Sequence, residues 1–268
     1  METKYFIINH TFQDIVILMK KTNCSITFLC GCILLFSLTG CSHYYAFGNT
    51  GIEPIVFNKP VYGDSTKVTT YIGGKYTMSA DSAYYHSGET NHFGQFYWAQ
   101  THTEKFFNYS YGAFGYVGSY KVVEMQNYSG NKSYYGGGLS GEINFNIPLK
   151  VIDIRLIGVK GTVLYEDGEF TRFRKLTSQQ QLINGVSASR IAYNISMTQG
   201  FDCNVNKGRF GLDVTNGITY FINDTPKFLT FSFNIHYNYK DYTVYLQNTN
   251  SFWGIGSEFA LGMNYRLK

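Results

Sequence analysis

From residue 66 to the carboxyl end, apolar and polar residues alternate one for one through ten separate stretches. A period of two puts successive side chains on opposite faces of an extended strand, and no helix can satisfy it. Residues 228–239 show it most plainly. Leu229, Phe231, Phe233, Ile235, Tyr237 and Tyr239 share one face, and Thr230, Ser232, Asn234, His236 and Asn238 share the other. Similar alternation marks 66–78, 92–102, 106–122, 134–147, 190–201, 209–222, 241–247 and 255–267. In 151–166 the phase slips once: Ile152, Ile154 and Leu156 occupy one face before Ile157, Val159, Val163 and Tyr165 take it over. A slip of one residue predicts a β-bulge near Leu156-Ile157.

Ten strands of this length, several of ten residues or more, match the roughly 9–11 residues that a tilted strand needs to cross a bilayer. Tyr (24) and Phe (22) are over-used and charged residues make up only 15%, so the chain has much apolar surface and few groups to solvate it. The connections also sort by length. Short turns are expected at 103–105, 148–150, 204–208 and 240. Longer loops are expected at 79–91, 123–133, 167–189 and 248–254, with a shorter one at 223–227. That is the asymmetry of a bacterial barrel with short periplasmic turns and longer external loops. The expected fold is therefore all-β: a closed antiparallel transmembrane barrel of about ten strands (8–12), covering 66–268. The alternative is a soluble sandwich or lipocalin-like barrel, with its apolar faces inside. Tyr109, Tyr193, Tyr220, Tyr239 and Tyr265 near strand ends suit interfacial girdles instead.

The carboxyl end, Gly262-Met263-Asn264-Tyr265-Arg266-Leu267, is similar to the terminal strand signal of outer-membrane barrels, although Ala260 stands where a polar residue is usual and Lys268 follows. At the other end, Lys20-Lys21 precede an apolar run through Ile26, Phe28, Leu29, Ile33, Leu34, Leu35 and Phe36, which ends in Leu38-Thr39-Gly40-Cys41. A positive segment, an apolar segment and small residues make an export signal. The last four residues resemble the lipobox of bacterial lipoproteins. The resemblance implies cleavage after Gly40 and acylation of Cys41 by palmitate-type chains, which bury about 0.8 kcal/mol per methylene in a bilayer. An uncleaved membrane helix is the alternative, but the run is short and interrupted by Thr27 and Gly31.

The expected organisation is therefore an upstream extension at 1–18, with translation starting at Met19, then a lipoprotein signal peptide at 19–40. A periplasmic tether follows at 41–65, broken by Pro54 and Pro60, and then the barrel at 66–268. The amino-terminal anchor and the carboxyl terminus are both expected on the periplasmic side of the outer membrane. The heavy Tyr and Asn usage is similar to that of Bacteroidota barrels.

Of five cysteines, Cys24, Cys30 and Cys32 would leave with the signal and Cys41 would be acylated. Cys203 alone can form neither an intramolecular disulfide nor a zinc site. The formal charge is +4, lowered by one when 1–40 are removed, which points to no nucleic-acid partner. Membrane lipid and the barrel-assembly machinery are the expected partners, and no cofactor is expected.

If the polar faces point inward, Glu142, Asp153, Arg190, Arg209, Asp213, Glu258 and Arg266 all enter one narrow lumen, where they must pair. They are read as a structural network filling the bore, with a selective polar path as the sharper alternative. His86, Glu89 and His92 have a metal-like spacing, but no helix to align them. Ser232, His236 and Asp213 could serve an outer-membrane hydrolase only if they converge within hydrogen-bond reach. No catalytic, cofactor or metal residue is therefore assigned. The long segment 167–189, basic at Arg172, Arg174 and Lys175, could bind a glycan or protein, or cover the barrel mouth. The expected role is structural, binding or narrow-pore.

Overall fold

A computed structural model describes residues 45–49, 68–80, 88–104, 106–123, 127–149, 152–182, 186–205, 208–222, 227–252 and 256–267. The expected signal at 19–40, the extension at 1–18, Cys41 and His86 lie outside them.

Ten strands run in chain order. They are β1 (Val68–Ala80), β2 (Thr90–Thr103), β3 (Phe107–Val122), β4 (Gly130–Pro148), β5 (Ile152–Gly168), β6 (Ile191–Val205), β7 (Gly208–Phe221), β8 (Lys227–Tyr239), β9 (Tyr242–Phe252) and β10 (Gly256–Leu267). Each pairs antiparallel with its neighbours, and β1 closes on β10 from Thr70↔Leu267 to Ala80↔Ser257, so the sheet has no free edge. One helix, α1 (Glu169–Gln179), follows β5. It was not foreseen: an eleven-residue helix in a long loop carries no period-two signal, and its flanks hide it.

The side chains sort as the alternation requires. On β8, Thr230, Ser232, Asn234, His236 and Asn238 are buried while Leu229, Ile235, Tyr237 and Tyr239 are exposed. On β4, Ser140, Glu142, Asn144 and Asn146 are buried while Leu139, Ile143, Phe145 and Ile147 are exposed. The outer wall is thus apolar and the bore polar, the inverse of a water-soluble barrel. At mid-height the wall presents Leu139, Val159, Val163, Ile195, Met197, Val244 and Leu261. Phe107, Tyr109, Tyr239 and Tyr242 ring one end, and Tyr135, Tyr165 and Tyr193 ring the other. Stacked or tilted pairs Tyr193–Tyr220 (5.1 Å) and Tyr242–Tyr265 (5.0 Å) reinforce these rings. An apolar band between aromatic girdles is the surface that a bilayer solvates. The fold is a transmembrane β-barrel.

The bulge falls where the phase slip placed it. Phe145 pairs with Ile157 but Asn146 with Arg155, leaving Leu156 as the extra residue against β4. Leu156 and Ile157 both face outward, while Arg155 and Gly158 face the bore. The slip therefore keeps a charged side chain out of lipid.

Connections at the two ends differ. At one end they span 104–106, 149–151, 206–207 and 240–241, where Lys240 takes a positive φ of 53° in the tight β8–β9 turn. At the other they span 81–89, 123–129, 169–190, 222–226 and 253–255. These are the short-turn end and the loop end. β9 reaches Phe252, further than expected, so its connection to β10 is short as well.

Candidate functional site

The loop end of the bore is occupied by a short piece of chain, residues 45–49. Tyr45, Ala46, Phe47 and Asn49 are buried, each at most 3% exposed. Their partners come from seven consecutive strands, β2 to β8, so the segment lies inside the wall. The Tyr45 hydroxyl donates to Glu89 Oε1 (2.7 Å), and its ring meets Tyr120, Phe170 and Phe173 edge-on. The Ser187 N–H donates to the Tyr45 carbonyl (3.0 Å). Phe47 packs against Phe221 (5.3 Å) in a cluster with Leu164, Ala192 and Phe228. Asn91 Nδ2 donates to the Gly48 carbonyl (2.8 Å), and Asn91 Oδ1 accepts from the Tyr134 hydroxyl (2.5 Å). At Gly48 a Cβ would lie 2.2 Å from the Tyr134 ring, so only glycine fits.

An ion pair holds this plug from behind. Arg174 of α1 and Glu166 of β5 sit 2.9 Å apart with both side chains fully buried. Glu166 also accepts from the Gly48 N–H (2.8 Å), while Arg174 donates to the carbonyls of Ser187 (2.6 Å) and Ser189 (3.3 Å). The guanidinium lies 4.8 Å from the centre of the Phe47 ring and 5.5 Å from that of Phe170. Removing one partner of such a pair strands a charge away from water, at about 3–5 kcal/mol. Glu169 ties the start of α1 to β4 by accepting from the Ser133 N–H (3.0 Å) and hydroxyl (2.8 Å). Those bonds hold the Glu169 carboxyl below its usual pKa.

Nearer the short-turn end lies a second charged group. Arg155 contacts Asp213 (2.5 Å) and Asp202 (3.2 Å). His236 lies between the same two carboxylates, with Nε2 2.7 Å from Asp202 and Nδ1 3.3 Å from Asp213. Arg209 reaches Asp153 (3.8 Å) and Asp202 (3.9 Å). Four neighbouring strands thus contribute one charge-paired cluster.

Of the seven residues expected to share the bore, Asp153, Arg209 and Asp213 meet in that cluster. Glu142 is buried elsewhere, accepting from the Thr198 hydroxyl (3.0 Å). Glu258 is buried on β10 in the loop-end half. Arg266 sits at the short-turn rim, pairing with Asp241 (2.8 Å). Arg190 is a correction: it precedes β6, its side chain is half exposed, and it lies 3.5 Å from Asp167 outside the bore. Strand parity had been carried past the point where the ladder ends. Arg155 and Asp202 were missed. Arg155 shares its parity with Asp153 ahead of the bulge, which was a usable signal, but Asp202 fell just beyond the expected end of its strand.

Ser232, His236 and Asp213 do not assemble a relay. Only the His236–Asp213 contact forms, while the Ser232 hydroxyl is engaged by Gln247 Nε2 (3.0 Å) and Thr249 Oγ1 (3.2 Å). Glu89 serves the plug, accepting also from the Tyr120 hydroxyl (2.8 Å) and the Val123 N–H (3.1 Å), while His92 points to the outer wall.

The largest departure concerns the tether. Residues 45–49 were expected beside the start of the first strand, yet they sit at the opposite end of the barrel from Val68. The aromatic residues Tyr45 and Phe47 were the overlooked sign.

No family model and no curated protein sequence matches the chain. Several solved outer-membrane barrels are similar in fold type. An outer-membrane channel from Pseudomonas putida F1 has 8% identity and a TM-score of 0.43 over 81% of this chain and 100% of that one. The β domain of the Bordetella autotransporter BrkA has 8% identity and a TM-score of 0.44 over 75% and 100%. The outer-membrane protein OprG from Pseudomonas aeruginosa has 11% identity and a TM-score of 0.37 over 78% and 99%.

Proposed function

We propose that this chain is a bacterial outer-membrane lipoprotein, of Bacteroidota type, whose barrel is a shut structural or binding element rather than an open pore. The observation that supports this most is the plugged bore. Polar side chains at every level are shielded from solvent, among them Asn234, Asn194 and Lys160, and residues 45–49 fill the loop end beneath α1. A water-filled channel would leave such groups accessible.

In this reading Cys41 carries the acyl anchor and the assembly machinery inserts the barrel with its short turns facing the periplasm. The closed bore gives no path for solute, and the loop end with α1 is the surface offered to a glycan or protein partner. Purified protein in a planar bilayer is expected to show no steady conductance. A stable ohmic current from the intact chain would refute the shut barrel. Metabolic labelling with palmitate is expected to mark the wild type and not Cys41→Ala. That variant is expected to assemble in lower yield but to stay membrane-integral, since the wall embeds itself. Its release in soluble form would refute the reading.

A further inference from the structure

One side of the outer wall carries a group of amides at the depth of the membrane. On β7, Asn216 is exposed on the outward face between Val214 and Ile218. It pairs with Met197 of β6 and with Phe231 of β8, so it stands at mid-height among side chains that lipid solvates. On β9, Asn248 and Asn250 follow Leu246 on the outward face and are half-buried. Gln199 of β6 is exposed one outward position beyond Met197. Between β7 and β9, the half-buried rings of Phe231 and Phe233 separate the asparagines.

The chain itself does not satisfy them. Asn250 Nδ2 donates to Asn248 Oδ1 (2.8 Å), and Asn248 Nδ2 donates to the Ser257 hydroxyl (3.0 Å). Asn216 and Gln199 make no side-chain hydrogen bond with any of the described residues. Across the barrel, Gln100 of β2 also faces outward, but its Nε2 donates to Thr70 Oγ1 (3.4 Å) and its Oε1 accepts from the Tyr111 hydroxyl. An amide in hydrocarbon has given up water and gained nothing unless a protein group bonds it. The β2 side meets that requirement from within, and the β6–β9 side requires a partner.

The register shows which amides stand level. Paired residues followed once around the ring, from Ile143 of β4 through Met197, Asn216, Phe231 and Asn250, lead back to β4 at Asn131, twelve residues nearer the loop end. The row therefore climbs by about 1.2 residues per strand, the stagger that closes a tilted barrel. From Asn216 on β7 to β9 it has climbed by about two residues. Asn248, rather than Asn250, stands level with Asn216, on the far side of β8.

We infer that this face is the interface between two copies of the chain, related by a two-fold axis that runs along the membrane normal beside β8. Both copies insert with the same end outward, so such an axis keeps every residue at its own height and brings the same patch of each wall together. Asn216 of one copy then faces Asn248 of the second, and the reverse contact forms across the axis. An amide offers both a donor and an acceptor and carries no charge, so the patch complements itself. Phe231 and Phe233 of the two copies pack at the axis and keep lipid from the amides on either side. The connections above this face, 222–226 and 253–255, are the two shortest at the loop end, too short to hold two walls apart.

The test places a photo-reactive phenylalanine analogue at position 216 or 248 of the full-length protein in its native membrane, with the same probe at Leu139 and Val163 on the other side of the wall as controls. Illumination is expected to give an adduct of twice the monomer mass from 216 and 248 and none from the controls. An adduct of any other mass would mean that a different protein covers the face, and no adduct would mean that lipid does; either refutes the inference, as does a doubled band of equal strength from the controls. Sedimentation equilibrium in detergent then measures the dimer directly. Asn216→Leu/Asn248→Leu, which suits a lipid-facing wall and whose folding is checked by heat-modifiability on gels, is expected to raise the dimer Kd at least tenfold. A folded double variant with the Kd of wild type would refute the role of the amides.

Discussion

Arg174→Met removes the charge of the buried Arg174–Glu166 pair while keeping most of the side-chain volume against Phe47 and Phe170. Both partners are fully buried at 2.9 Å, so Glu166 would be left as a desolvated carboxylate with the Gly48 N–H as its best remaining donor. The expected penalty is about 3–5 kcal/mol. It should fall on the plug and on α1 rather than on the wall, whose hydrogen bonds run in the strand ladders. At about 1.4 kcal/mol per decade this raises the local opening equilibrium about 150- to 4,000-fold. Hydrogen exchange in detergent or nanodiscs reads it directly, as faster exchange of residues 45–49 and α1 with unchanged protection of β7, β8 and β9. The double variant Glu166→Leu/Arg174→Met should recover most of the loss, because an apolar pair leaves no charge stranded. Plug exchange within threefold of wild type in Arg174→Met, or equal loss of protection throughout the wall, would refute the reasoning.

Other outcomes follow from the same geometry. Gly48→Val should expel the plug by collision with Tyr134, giving trypsin or chymotrypsin access near Tyr45, and Gly48→Val/Tyr134→Ala should be less sensitive than the single variant. Arg155→Ala removes the cation between Asp202 and Asp213 and should lower the gel heat-modifiability midpoint by an amount equivalent to about 3–5 kcal/mol; Arg266→Ala, at the partly exposed rim, should cost at most about 1 kcal/mol. Deleting Leu156 removes the bulge and would turn Arg155 toward lipid, so folded barrel should be absent from outer-membrane fractions. Because Glu169 titrates below its unfolded value in the folded state, the stability it lends α1 is present above about pH 4.5 and is lost as pH falls through its lowered folded pKa. Exchange of α1 should therefore quicken in acid, and Glu169→Gln should remove that dependence. Deleting residues 45–49 should convert the non-conducting barrel into one with measurable conductance, because the plug is removed.

What the residues by themselves determined was the wall. Alternation such as Leu229/Thr230 through Tyr239 dictates strands, and the need to hide apolar from polar dictates which face meets lipid. The Leu156 phase slip was legible for the same reason: one extra residue inverts every face after it, and only a bulge restores them. These are local, periodic signals, each contained within one strand and its neighbour. The interior was not local. The cluster of Arg155, Asp202, Asp213 and His236 draws on four strands, and which charges meet depends on the register of each pairing and on where each ladder stops. That is why Asp202 was missed and Arg190 misplaced.

The plug lay furthest from reach. Nothing in Tyr45-Ala46-Phe47-Gly48-Asn49 states that its partners are Glu89, Asn91, Glu166, Arg174 and Phe221, the last 174 positions from Phe47 in the chain. Closing the sheet into a cylinder is what brings those side chains to one mouth. The resulting cavity is apolar enough to take two aromatic rings and charged enough to hold a glycine N–H. The sequence alone decided that this chain would make a membrane wall. Only the closed tertiary structure decided what stands inside it, because a bore exists only once β1 has met β10.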